Sequence, residues 1–300
     1  MVNYHGRQTA SEVQAVRAKM VDCIAKGSSI KDALEVVGRS RKWHENLRYN
    51  DKEYAKAIDA AKAEWQTRKG NPEHGGDALE DFEVFCRDYL NLTIWPHQMN
   101  MVDAIEGREP GWLHPSMIYE PGTSGNKRVL ISIPPNHAKT MTMSISYVTW
   151  RILKNPNISI LIVSKTAEMA KKILYAVKQR LTHPRWSALQ RTFGPPEGFR
   201  STADSWSATR IYLGSDVRDT DSKDPTVEST GMGGQIYGAR CDLIILDDTV
   251  TLGNAGDYGK QDDWLRQEVA SRLGPGGQIL VVGTRVAQMD LYRHLRDPEN

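Results

Sequence analysis

Apolar residues in the first seventy positions recur at helical spacing. Val13, Val16, Met20 and Ile24 share one face of a helix from about Ser11 to Ala25. A short helix follows from Ile30 to Val37, with Ser29 as its N-cap and Gly38 as its stop. Ser40 opens a third, Arg41 to Arg48, and Asn50 or Asp51 opens a fourth that runs to about Arg68. Helix, short helix, Gly-containing turn and basic helix is the plan of a helix-turn-helix. Turn formers then concentrate from Lys69 to Asp77. The domains expected are a helical one over 1–70, a linker over 71–77 and a larger domain over 78–300.

Beyond the linker the period changes. Helices are expected from Leu79 to Leu90 and from His97 to Ile105, and the polar stretch Glu106 to Lys127 reads as a long surface loop. Strands and helices then alternate: Arg128–Ile133 strand, Thr140–Leu153 helix, Ser159–Ser164 strand, Ala167–Leu181 helix. Further strands are expected at Arg210–Leu213, Asp242–Leu246 and Gln278–Val282, with a helix from Gln261 to Arg272. Apolar strands alternating with helices predict an α/β fold with a parallel sheet covered on both faces.

Composition sharpens this only a little. The 39% hydrophobic and 25% charged content is that of a globular protein. The longest apolar runs are strand-length, short of the ~20 residues that span a bilayer, and no secretory signal opens the chain, so a cytoplasmic location is expected. Cys23, Cys86 and Cys241 are isolated and read as small core residues. Charge is uneven: residues 1–72 hold 14 Lys/Arg against 9 Asp/Glu. A basic head on a mildly acidic body hints at nucleic acid.

The chemistry starts at the end of the strand Arg128–Ile133. Backbone amides at a strand-to-helix turn favour anions, and Pro134-Pro135-Asn136-His137-Ala138-Lys139-Thr140 sits at such a turn. In that reading Pro135, Asn136, His137 and Ala138 cradle phosphate, Lys139 reaches the terminal phosphates of ATP, and Thr140 ligates Mg²⁺. The loop has no glycine: Ile133 and Ala138 stand where two would be. A polar turn with an incidental Lys-Thr is the competing reading. About a hundred residues on, the apolar strand Asp242–Leu246 ends in Asp247-Asp248. Asp247 would hold the metal, and Asp248 would orient or deprotonate an attacking water. Gln98 offers an amide that can read an adenine edge. Thr284 closes the last strand and can sense a γ-phosphate. An exposed glutamine and an ordinary turn explain these two equally well.

With these residues in order, the chain over about 80–295 resembles the ATPase domain of phage terminase large subunits, the DNA-packaging motors, and most of all those of podophages. The Gly-rich approach from Thr226 to Ala239, then Arg240-Cys241-Asp242 and the strand ending in Asp247-Asp248, carry the likeness, as do Val282-Gly283-Thr284-Arg285 and Met289-Asp290-Leu291-Tyr292. The resemblance implies a P-loop NTPase fold of the ASCE/RecA-like type, ATP and Mg²⁺ as cofactors, Gln98 as the adenine reader and Thr284 in the segment that couples hydrolysis to DNA movement. It implies double-stranded DNA, the procapsid portal and a terminase small subunit as partners, in a homo-oligomeric ring that is a pentamer by resemblance, in the host cytoplasm. Arg240 matches an arginine positioned to act as a finger, with a salt bridge as the rival role; Arg210 and Arg285 are the other candidates. Asn136, Ala138 and Asp248 depart from the family's usual Arg, Gly and Glu. Only fifteen residues follow Arg285, so the family's nuclease domain is expected to be absent.

The N-terminal helices are similar to the helix-turn-helix of terminase small subunits, which implies nucleic-acid contacts from Arg39, Arg41, Lys42 and Arg48. A bundle that docks on protein is the alternative. For the whole chain the rivals are an adaptor with a degenerate phosphate loop and a helicase-like translocase.

Overall fold

The computed structural model describes residues 10–25, 30–68, 75–122, 125–219, 222–234, 236, 238 and 240–297. The chain divides into two compact units, Met1–His74 and Gly75–Asn300.

The first unit is helical: α1 (Ala10–Ala25), α2 (Ile30–Val37), α3 (Arg41–Asn50) and α4 (Lys52–Arg68). Met20, Ile24, Ala33, Leu34, Tyr54, Ile58 and Ala61 form its core. Gly38 ends α2 at φ +62°, a conformation that costs a residue without Cβ little. Ser40 caps α3 by accepting from Trp43 N at 3.2 Å. Asp51 starts α4: one oxygen accepts from Glu53 N and Tyr54 N, the other from Arg17 at 2.7 Å. Ser29, the expected cap of α2, lies outside the described residues.

The second unit opens with α5 (Gly75–Glu80) and α6 (Phe82–Phe85), the latter continued by a π-helical turn over Cys86–Leu90. The single helix expected from Leu79 is broken because the Asp81 carboxylate caps Glu83 N and Val84 N at 2.8 and 3.2 Å. Residues 71–74 of the expected linker lie outside the described residues, and its last three, Gly75–Asp77, are helical. Gly75 packs so closely that a Cβ there would stand 3.1 Å from the Phe193 ring. The remaining helices are α7 (Pro96–Glu106), α8 (Val148–Lys154), α9 (Ala167–Thr182), α10 (Ser187–Phe193), α11 (Tyr258–Trp264) and α12 (Leu291–Arg296), and a π-helical segment over Thr140–Tyr147 leads into α8.

Among the described residues seven strands form one sheet: β1 (Arg128–Ser132), β2 (Ile160–Ser164), β3 (Ser205–Trp206), β4 (Arg210–Tyr212), β5 (Val227–Gly231), β6 (Cys241–Asp247) and β7 (Leu273–Gly283), in the order β1-β7-β6-β2-β5-β4-β3. The first five in that order run parallel, and β4 and β3 add an antiparallel edge. Alternate residues enter two cores. Ile160, Ile162, Leu243, Ile245, Leu280 and Val282 pack with Phe82, Tyr147, Trp150 and Leu174. Leu161, Val163, Ile244, Leu246, Ile279 and Val281 pack with Leu265, Val269, Leu291 and Tyr292. Burial on both faces is why these strands read as continuous apolar runs, as expected for a helix-covered parallel sheet.

Two strands escaped the sequence. β5 alternates buried Val227, Ser229 and Gly231 with partly exposed Glu228 and Thr230, so it lacks the apolar run that marks a central strand. β3 is only two residues long. Phe82 is buried, with its ring centroid 5.6 Å from Trp150 and 6.1 Å from Tyr147. Phe82→Ala is expected to cost about 3–5 kcal/mol and to lower the urea midpoint of the sheet-containing unit. An unchanged midpoint would show that this aromatic cluster does not hold the first helices to the sheet.

Candidate active site

Strand register lines up the pieces of the site. Ser132 at the end of β1 pairs with Gly283 at the end of β7, and Asp247 at the end of β6 pairs with Val282 on one side and Ser164 on the other. The loops after β1, β7 and β6 therefore leave the same edge side by side. That carboxyl-terminal edge is where open α/β sheets bind ligands.

The segment after β1 turns tightly. Ile133 N still donates to Gly283 O at 3.0 Å, and then Pro134 to Ala138 are exposed. Asn136 and Ala138 take left-handed φ values of +64° and +56°. Each such residue costs roughly 1–2 kcal/mol without glycine. The amides of Asn136, His137 and Ala138 donate to no acceptor among the described residues. His137 Nδ1 donates to Pro135 O at 2.8 Å, and its ring stands edge-on to His97 at 5.6 Å.

Lys139 turns inward and is only 9% exposed. Its Nζ lies 3.1 Å from Asp248 Oδ2 and donates to Thr284 Oγ1 at 3.1 Å. Thr284 in turn donates to Ile133 O at 2.9 Å, so its hydroxyl ties β7 to the turn and leaves a lone pair for the lysine. The Thr140 hydroxyl donates to Asp247 Oδ1 at 3.0 Å. Asp247 is 1% exposed, and its Oδ2 has no partner among the described residues. Burial, chiefly, pushes this carboxyl up to about 6. Asp248 is half-exposed and sits at φ +45°, a strained conformation for a side chain with a Cβ.

These donors fit a divalent cation of the Mg²⁺ type. An orphaned carboxylate oxygen, a hydroxyl and a second carboxylate are hard oxygen ligands, and Mg²⁺ characteristically takes one or two carboxylates and completes its shell with water and phosphate.

Tyr292 of α12 braces the site from the other face. Its ring covers Gly283 so closely that any Cβ there would overlap the phenol. Its hydroxyl accepts from Val250 N at 3.3 Å, and burial, chiefly, pushes the phenol up to about 12. One side chain thus touches the residue before Thr284 and the residue two after Asp248. Gly283 and Tyr292 both lie in stretches that carried the resemblance, but their contact was not expected from the sequence.

Other expected residues lie elsewhere or are occupied. Gln98 is buried: its Oε1 accepts from Trp95 N at 2.9 Å and its Nε2 donates to Thr142 Oγ1 at 2.6 Å, tying the start of α7 to the segment after Lys139. Arg240 is exposed immediately before β6, so the strand's 7 residues separate it from Asp248 and place it at the opposite edge of the sheet. At ~3.3 Å per residue that is roughly 20 Å, and the site within this chain is built without Arg240. Arg210 pairs with Glu228 at 2.6 Å, and Arg285 donates to Ala287 O and Gln288 O. Gln235, Tyr237 and Ala239 of the glycine-rich approach lie outside the described residues. On the helical unit Arg41 pairs with Glu45 and Arg48 with Asp59, Arg39 lies 5.8 Å over the Trp43 ring, and Lys42 is exposed.

No family model matches the chain. Over 160 residues, 52% of this chain and 25% of the relative, it is 29% identical to the terminase large subunit of Enterobacteria phage T3. The matched region is thus a quarter of that relative's length. The large terminase of bacteriophage HK97 aligns with 74% of this chain and 42% of its own, at 14% identity and a TM-score of 0.47. Over the matched half, the chain is similar in sequence to a phage terminase large subunit, the family that it was expected to resemble.

Two outcomes follow from the site's geometry. A carboxyl raised by burial binds its proton more tightly folded than unfolded, so stability falls as pH rises from about 4 to about 6 and stays lower above that. Asp247→Asn removes the penalty. Its stability relative to wild type should rise by about 1–3 kcal/mol between pH 4 and pH 7.5, measured by urea unfolding in EDTA. A difference that stays flat across that range would count against the buried charge. Gly283→Ala should displace Tyr292, costing about 2 kcal/mol or more through overpacking, and Gly283→Ala with Tyr292→Leu should recover part of the loss.

Proposed function

We propose that this chain is the ATP-hydrolysing motor of phage genome packaging, which translocates double-stranded DNA into the procapsid. The observation that carries the reading is the convergence of Lys139, Thr140, Asp247, Asp248 and Thr284 from three separate loops onto one sheet edge, in contact by side chain. The relationship to terminase large subunits supports the same reading.

In this reading the exposed amides of Asn136, His137 and Ala138 receive the phosphates of ATP, with the helix that starts beyond Lys139 adding its dipole. Thr140 and Asp247 hold Mg²⁺, aided by Asp248. When bound, the metal neutralises charge on the phosphates and orients their oxygens. The Lys139 ammonium, held by Asp248 and Thr284, exchanges the carboxylate for a terminal phosphate oxygen. That exchange releases Asp248 to orient the attacking water and accept its proton. Thr284 keeps its bond to Ile133 O and reports the lysine's position to β7. Gln98 positions the segment after Lys139 through Thr142, and nucleotide contact through its remaining amide hydrogen is part of the reading. Arg240 belongs to the reading only as a group that approaches a neighbouring subunit's site in a ring. The portal, a small subunit and a ring of copies are its implied partners, in the host cytoplasm. Among the described residues no helix is long and apolar enough to cross a membrane.

The test is phosphate release with and without duplex DNA. Wild type should turn over ATP faster with DNA, and Lys139→Ala should lose at least about a hundredfold in kcat, the scale of removing one charge-stabilising donor. Equal release from both proteins would exclude the assignment.

A further inference from the structure

Seven of the sixteen arginines in residues 75–300 are matched by acids among the described residues, Arg87 by Asp88 among them. Arg108 pairs with Asp103, Arg151 with Glu106, Arg210 with Glu228, Arg266 with Asp262, Arg293 with Asp297 and Arg296 with Glu120. One stretch gathers several cations without such a match. Residues 178–200 contain Lys178, Arg180, Arg185, Arg191 and Arg200 against the single acid Glu197, and none of the five cations joins an ion pair among the described residues.

The centre of this stretch is built. Arg180, near the end of α9, is 7% exposed, and its guanidinium carbon lies 4.8 Å from the centroid of the Trp186 ring. Arg185 lies 5.6 Å from the same centroid. Two guanidinium groups thus share one indole. Among the described residues the hydrogen-bond partners of Arg180 are Ala176 O at 3.1 Å and Met141 Sδ at 3.1 Å, and its Nε is buried without any. Burial, chiefly, disfavours the charge on Arg180 and on Lys178, and the neighbouring cations Arg185 and Arg200 add to it. The carbonyls ending α9 favour one cation there. They do not account for a second on the same ring, nor for exposed Arg191 on α10 and exposed Arg200 beyond it.

Cations held close together without acids lower their energy by taking an anion, and guanidinium forks match phosphate geometry. We infer that Arg180, Arg185 and Trp186, flanked by Arg191, form a surface for the phosphodiester backbone of duplex DNA. Arg185 and Arg191 contact phosphate, and Arg180 and Trp186 hold Arg185 in place. The contact is independent of base sequence. The inference rests on the packaging-motor reading for its choice of polyanion, but its test is separate.

The experiment is fluorescence anisotropy of a labelled duplex with the full chain over a series of NaCl concentrations. Removing one cation that touches a phosphate lowers the slope of log K against log salt by about one. Arg185→Ala should lower it by about one and Arg185→Ala/Arg191→Ala by about two, whereas Arg185→Lys, which keeps the charge, should stay near wild type. Turnover without DNA should be unchanged in all three. Lys139→Ala should keep the wild-type slope while losing turnover, so the nucleotide reading and the DNA surface fail separately. An unchanged slope in the double variant, or no salt-dependent binding by wild type, overturns the inference. So does displacement of the duplex by millimolar inorganic phosphate at constant ionic strength, which would mark a free-phosphate site.

Discussion

The register of β6 against β7 is the constraint on which the rest of the site depends. Side chains alternate along these strands, so residues of one parity face α8 and α9 and residues of the other face α11 and α12. Leu243 and Ile245 share the first core, and Asp247, next in that parity, reaches Thr140 on the same side. Val282 and Thr284 also face that side, which is how Thr284 meets Lys139. Gly283 has the opposite parity and faces Tyr292. A slip of one residue would present Leu246 to Thr140 and turn Asp247 toward α12. The apolar residues of both faces fix the register, and the chemistry inherits it.

That rigidity also explains how the tight turn after β1 stands without glycine. Asn136, Ala138 and Asp248 all hold left-handed backbone with a Cβ attached. Such strain persists only where the surroundings over-determine it. Here Ile133 is tied to Gly283 by backbone and to Thr284 by a side chain, and Asp248 N donates to Val282 O. The same enclosure raises Asp247 and leaves one of its oxygens unsatisfied, a cost that a cation on that oxygen would remove.

The architecture was legible because the central strands are buried on both faces and the helices are periodic; each expected strand of the parallel core appears. The elements that escaped are those whose identity depends on neighbours. β5 is a strand because β2 and β4 flank it, and the break at Asp81 depends on a carboxylate turning back onto its own helix. At the site, Lys139, Asp248 and Thr284 were picked out one by one for their chemistry, and their contacts with one another needed the fold. The brace from Tyr292 and the burial of Gln98 needed the fold. Arg240 stands at the far end of β6 from Asp247 and Asp248, as its place before the strand dictates.

Net charge and the pairing of charges are different guides to a polyanion surface. The first 72 residues carry the larger surplus of Lys and Arg, yet Arg17, Arg41 and Arg48 are held by Asp51, Glu45 and Asp59. Charges matched at 2.6–3.0 Å present little field beyond the pair, and exposed pairs of this kind are further screened by salt. Residues 178–200 hold fewer cations in total, but their one acid neutralises none of them by direct contact. A phosphate backbone responds to the field that remains after such pairing. The arginines around Trp186, with no acid paired to them among the described residues, leave such a field.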